Sequence, residues 1–313
     1  MKQGPTFLVC GEALIDVYPE SATHAAPEAR IGGSPFNVAI GLARLGQNVG
    51  FLGSISRDAF GERLYAALAD ERVDVSSVTR SDAPTTQSIV GVDAHGAPTF
   101  TFLGEGRADR QLTPDAIDRV AHVRAIHVGS YSMVVEPIAS TLRALIAQRR
   151  DSTLIAWDPN VRVNVVGEAQ PWRELLDWML PRSDLVKLSD EDLSVLAPGL
   201  TPQEFAERAL SCGVGLVVTT HGAEGVSAWS PRARVQVPAS DVKVVDTVGA
   251  GDAFHAALLA WLAEHDKLER KRVASMDEEA LYEALRFATR AAALTCERRG
   301  ADLPRGEALA RRD

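Results

Sequence analysis

The chain has 313 residues, enough for one large α/β domain with an appendage or for two small domains. Apolar residues make up 46% and charged residues 24%, an ordinary balance for a globular protein, and the net charge of −9 argues against nucleic acid, whose phosphates need a basic face. The short basic runs "RRD" and "ERKR" read as solvated helix faces, and no apolar stretch reaches membrane-spanning length, so neither nucleic acid nor a membrane is expected as a partner.

In chain order, "MKQGPTFLVCGEALID" has an apolar run too short for a secretory signal and no small-residue cleavage site. Its centre, "TFLVCG", predicts a first strand. The segment from Leu14 to Ile31 then wanders through Ser, Ala, Pro and His with no clear period. "SPFNVAIGLARLG" predicts a helix with Ser34 as N-cap, Pro35 at its first position and Gly46 closing its end. "NVGFLG" is the next strand. Thr85 to Gly106 reads as two strands around a turn at His95–Gly96, with no helix between them. "AIHVGS", "LIAWDPN", "LVKLS" and "GLVVTTHG" are further strands, alternating with helical patterns. "EALYEALRFATRAAALT" carries Leu281, Ala284, Leu285, Ala288 and Ala292 on one stripe. This alternation predicts an α/β fold whose mostly parallel sheet is covered on both faces. The expected organisation is one domain over 1–313, with lid segments at 14–31 and 85–106. Cys10, Cys212 and Cys296 are too few and too dispersed for a disulfide framework or a zinc site, which makes a reducing cytoplasm the expected location.

The stretch that carries chemistry is "DTVGAGDAFHAALLAWLA", where a helix is predicted to begin near Gly251 or Asp252. Unpaired amides at a helix start, here Gly249, Ala250 and Gly251, can wrap an anion. Asp252 among those donors is open to two readings, an N-cap or a catalytic carboxylate. A Walker loop would need Lys after the last glycine, and a dinucleotide fingerprint would need Gly where Phe254 stands. An anion hole beside a carboxylate suits phosphoryl transfer to a hydroxyl instead. "GGSPFN" supplies Gly32 and Gly33 before a second helix start with Asn37 in its first turn, and "GEALID" supplies Asp16. An Asp and an Asn together can bind vicinal hydroxyls, one accepting and the other also donating.

The pair "IGGSPFNVAIGLARLG…GSISRDAFG" and "DTVGAGDAF" resembles the two signatures of the ribokinase-like (PfkB) carbohydrate kinases. The likeness covers almost the whole chain, with "DPNVR", "VKLSDEDL", "VVTTHGAEG" and "ALTCERRGADLP" in the family's order. It implies a three-layer αβα sandwich with a small β lid. It also implies ATP-dependent phosphorylation of a small sugar, with fructose the expected acceptor and 2-keto-3-deoxygluconate the alternative. A catalytically silent sugar-binding protein on the same fold is the reading from a different class.

By resemblance, Asp252 is the base and Gly249, Ala250 and Gly251 form the anion hole. Asp16, Gly32, Gly33 and Asn37 hold the sugar, with Asn160 and Arg162 as further candidates. Arg162 fits either a phosphate or carboxylate, or a surface salt bridge. For the nucleotide the resemblance implies Lys187, Thr220, Gly222, Gly225, Ala292 and Cys296. Mg²⁺ is expected with ATP, and a monovalent cation such as K⁺ beside Asp246, Val248 and Gly300. Two departures stand out. The family's Asn-x-x-Glu motif falls on Ser189 and Asp192, which puts a water-mediated Mg²⁺ contact from Asp192 in doubt. Where fructokinase-like members often carry a lid arginine this chain has Gly104, which leaves two readings: Arg107, three residues later, substitutes for it, or the acceptor differs. The lid also admits a homodimer.

Overall fold

The structure, a computed structural model, describes residues 5–18, 28–92 and 98–310, without the side chains of 90–92 and 98–100. The predicted turn at His95–Gly96 and the middle of the wandering segment lie outside the described residues. In chain order the strands are β1 (Phe7–Cys10), β2 (Leu14–Tyr18), β3 (Glu28–Gly32), β4 (Val49–Leu52), β5 (Ser54–Ser56) and β6 (Thr79–Ser81). There follow β7 (Gln87–Val92), β8 (Pro98–Leu103), β9 (Ala125–Gly129), β10 (Leu154–Asp158) and β11 (Leu185–Ser189). The last are β12 (Leu216–Thr220), β13 (Val226–Trp229) and β14 (Arg234–Val237).

An eight-stranded sheet has the order β14-β13-β12-β11-β10-β9-β1-β4. Its six predicted strands pair in parallel, and β13 and β14 continue the edge antiparallel. Those six are almost unbroken apolar runs because both faces are buried. One face packs on the helices Ser34–Arg44, Ala250–Glu264 and Glu278–Cys296, the other on Ile138–Arg149, Gln170–Met179 and Pro202–Ser211. Alternation along β10 makes the division plain: Leu154 and Ala156 join the first core, Ile155 and Trp157 the second. The helix Ala250–Glu264 is apolar all round, and every residue from Ala253 to Leu262 is buried, as expected of a helix in the middle of a core.

A second sheet, of order β3-β2-β7-β8, is built from the two segments that break the α/β alternation. β2 and β3 are antiparallel, β2 and β7 parallel, and β7 and β8 antiparallel. Where no period was legible, Leu14 to Ile31 therefore contributes two paired strands. In the main sheet the chain runs from β1 outward to β4, then returns to place β9 on the other side of β1. Such a reversal opens a crevice beyond the strands' carboxyl ends. Glu12, just past β1, and Ser130 and Tyr131, just past β9, line a cleft of about 670 Å³ at that reversal.

Candidate active site

The helix Ala250–Glu264 begins one residue before the predicted start, with Gly249 at its N-cap. Gly249 has φ 80, and a Cβ there would sit 2.6 Å from Ala301 Cβ, so only glycine fits. Asp252 is therefore inside the first turn and caps nothing. Its Oδ1 accepts from Ser34 Oγ at 2.6 Å and its Oδ2 from Asn37 Nδ2 at 2.8 Å. Ser34 in turn is not the N-cap expected for its own helix: Gly33 holds that position at φ 107, and the serine hydroxyl is spent on Asp252. Burial pushes the Asp252 carboxyl above the usual aspartate range, Asp158 adds to the shift, and Ser34, Asn37 and Lys187 oppose it. Gly249, Gly251 and Asp252 all line the cleft, and Ala250 sits between them as the first helical residue.

The opposite wall is the second sheet, and its pleat decides which side chains face the cleft. Leu14, Asp16 and Tyr18 line it, whereas Ile15 and Val17 join the core. Asp16 is in register with Ser88 on β7, and Ser88 with Phe102 on β8, so these three form a row across the sheet, all on the cleft. A Cβ on Gly32 would come within 2.5 Å of Asp16 Oδ2, which explains the glycine beside the carboxylate. Burial lifts the Asp16 carboxyl to about 6, against the pull of Ser88, Arg162 and Arg30. Asn160, at φ 38, and Arg162 also line the cleft. Ser88, Phe102 and Glu12 were not anticipated; the period-two pattern Leu14-Asp16-Tyr18 was the available signal.

Lys187 lines the same cleft beside Gly251. Its Nζ is 2.8 Å from Asp158 Oδ2, a buried ion pair joining β11 to β10, and a Cβ on Gly251 would lie 3.2 Å from that Nζ. Burial alone would lower the Lys187 pKa, but Asp158, Asp192 and Asp252 leave it raised, so the ammonium stays charged. His127 and His255, with ring centroids 4.6 Å apart, are buried on the same side of the sheet; burial and mutual repulsion keep His127 neutral, and burial drops His255 to about 3. Neither the histidines nor Asp158 were singled out from the sequence.

Several expected residues fall elsewhere. Arg107 is not among those lining the cleft: its Nη1 donates to the Thr85 carbonyl at 3.2 Å. The arginine packed near Gly104 is Arg110, whose guanidinium lies 5.6 Å from the Phe102 ring. Asp192 forms a capping box with Ser189 and accepts from Val161 N at 2.6 Å, so both its oxygens are engaged in holding local backbone. Asp246 does meet the two residues expected beside it, accepting from Val248 N at 3.1 Å and Gly300 N at 2.8 Å. Thr220, Gly222 and Gly225 sit at the end of β12 and in the turn after it. Ala292 and Cys296 end the helix Glu278–Cys296, which packs on β13 and β14, and the Cys296 carbonyl accepts from Val245 N and Asp246 N. These five do not line the cleft itself.

A family model described as "pfkB family carbohydrate kinase" matches residues 6–307. A fructokinase of Rhizobium leguminosarum bv. trifolii is 39% identical over 279 residues, covering 88% of this chain and 85% of that protein. The solved structure of a Xylella fastidiosa fructokinase with bound ATP has a TM-score of 0.87 at 27% identity, covering 97% of this chain and 96% of its own. The Vibrio cholerae O395 fructokinase in its fructose, ADP and calcium ion bound form has a TM-score of 0.82 at 30% identity, over 97% of each chain. Layers and strand order together are those of the ribokinase-like fold.

Proposed function

This chain belongs to the pfkB family of carbohydrate kinases, and we propose that it is a fructokinase, transferring the γ-phosphoryl group of ATP to fructose. One observation carries the reading: a carboxylate at a helix start, Asp252, faces a wall that presents Asp16 and Ser88 in a row. A sugar hydroxyl between them would be held by one wall and deprotonated by the other. As the hydroxyl oxygen attacks the γ-phosphorus, its proton passes to Asp252; the phosphorus–oxygen bond to ADP breaks and ADP leaves with the electron pair. The raised pKa of Asp252 suits a proton acceptor working near neutrality. The amides of Gly249, Ala250 and Gly251 and the ammonium of Lys187 would hold the charge on the transferring group.

Asn37 has a double part in this scheme: its amide orients Asp252, and its side-chain oxygen is left for the sugar, with Asp16, Gly32, Gly33, Asn160 and Arg162 around it. Thr220, Gly222, Gly225, Ala292 and Cys296 would flank the nucleotide beyond the strand ends. A metal ion belongs with the nucleotide, and we assign it as Mg²⁺. Among the described residues no three His, Cys, Asp or Glu side chains form a cage, a donor set that fits an ion riding on phosphates with much of its water kept. Bound there, it would neutralise phosphate charge. The Asp246 loop with Gly300 is the proposed seat of K⁺. The second sheet, from segments 14–31 and 85–106, would serve as a lid on one kinase domain and as the contact surface of a homodimer, in the cytoplasm.

Arg162 supports a second reading, since its guanidinium on the cleft could pair a substrate carboxylate, as in 2-keto-3-deoxygluconate. Steady-state kinetics with both acceptors and MgATP decides. We expect the higher kcat/KM for fructose; the reverse order would replace the acceptor and leave the family standing.

A further inference from the structure

One carboxyl on the cleft takes no part in the transfer just described. Glu12 lies just past β1, after Gly11, is 1% exposed, and lines the cleft beside Ser130 and Tyr131. Ser132 donates its hydroxyl to Glu12 Oε2, and the Ser130 side chain helps to hold the pKa of the same carboxyl down. Ser130 does so from φ 56, a left-handed conformation that a serine adopts at a cost of roughly 1 kcal/mol or more and that tends to persist at functional sites. A carboxylate offers about four lone-pair positions, so two serine hydroxyls leave it acceptor capacity on the cleft side. The neighbouring Asp109 is not available to a ligand in the same way: it does not line the cleft, and its two oxygens face Thr86 and Tyr131.

We infer that Glu12 is a specificity-determining residue for the acceptor, its carboxylate receiving a sugar hydroxyl from the β1–β9 side of the cleft while Asp16 receives from the lid side. The inference rests on the sugar-kinase reading and deepens it, because it places recognition on both walls. Burial pushes the Glu12 carboxyl up to about 7, with Asp109 adding to the shift and the two serines opposing it. Tyr131 is the remaining titratable neighbour, and burial with the nearby Asp109 and Glu12 keeps its hydroxyl protonated. Protonation occupies one of the carboxylate's acceptor positions, so the hydroxyl contact weakens as pH falls through the neutral range.

The test is a cycle between residue and substrate. kcat/KM is measured with MgATP for fructose and its 1-, 3- and 4-deoxy analogues, in the wild-type protein and in Glu12→Ala. One analogue should lose roughly 10- to 100-fold in the wild type, the range for a hydroxyl bonded to a charged group. That loss should shrink to within about threefold in Glu12→Ala, with KM for ATP unchanged. Equal losses in both proteins would overturn the inference and leave the acceptor reading intact. Should Glu12→Ala not fold, the wild type alone decides: the ratio of fructose to that analogue should fall between about pH 8 and about pH 6. Because the ratio cancels changes in ATP and Asp252, a constant value overturns the inference. A wild-type protein inactive on fructose would overturn the acceptor reading, and this inference with it.

Discussion

At the scale of single residues, Asp252 decides between a cap and a base, and its contacts allow a clean substitution. In Asp252→Asn the new amide can donate to Ser34 Oγ while its oxygen still accepts from Asn37 Nδ2, so the position of the group survives. Only proton acceptance is lost, and kcat should fall by roughly 10²–10⁴-fold with the thermal midpoint little changed. A folded variant with near wild-type kcat would contradict the mechanism. Burial raises the Asp252 pKa, and the base must be ionised to work, so kcat/KM should decline as pH falls through that raised value. A pH–rate profile should put the acid limb above the ordinary aspartate range and lose it in the variant. Asp252, its glycines, Asp16 and Asn37 were legible because each sits in a short local motif. Glu12, Ser88 and the Lys187–Asp158 pair were not, because register and crossover bring them together from distant strands. Arg107 was misjudged for a related reason: distance along the chain does not say which arginine reaches back, and Arg110 is the one that stacks on Phe102.

At the scale of elements, the start of the helix Ala250–Glu264 is fixed from outside by the segment around Ala301 and Gly300. Gly249→Ala would put a methyl group at φ 80 and against Ala301, a conformational cost of about 1–2 kcal/mol before the clash is counted. The helix start must shift to relieve it. kcat should drop by roughly tenfold or more, because a small misplacement of aligned groups is expensive, while KM for fructose, whose binding we assign to the wall of β2 and β7, should change less. Steady-state kinetics checks the split; an unchanged kcat would mean that these amides do not hold the transferring group. The six parallel strands were legible from their unbroken Val, Ile and Leu runs. β2 escaped because Asp16 and Tyr18 put polar atoms on the cleft face and disguised the strand as a loop. β14 lacks such a run, since buried Val235 and Val237 alternate with exposed Arg234 and Gln236, and Ser227 interrupts the apolar run of β13.

At the scale of the whole molecule, the cleft is a seam between two sheets, and closing it should exclude water from the reacting phosphate. Hydrogen exchange in β2, β3, β7 and β8 should slow at saturating fructose, while the helix Ala250–Glu264 stays equally protected in both states. Equal exchange of the four strands with and without the sugar would count against closure. The buried run from Ala253 to Leu262 carries a further meaning for descent. Asp252 is mounted on a deeply packed helix, where almost any substitution opens a cavity or overpacks the core. The strands of the opposite wall instead put alternate side chains, Asp16, Ser88 and Phe102 among them, on the open cleft. After a gene duplication, acceptor preference could therefore drift by replacement of strand side chains, with the proton-transfer step inherited unaltered.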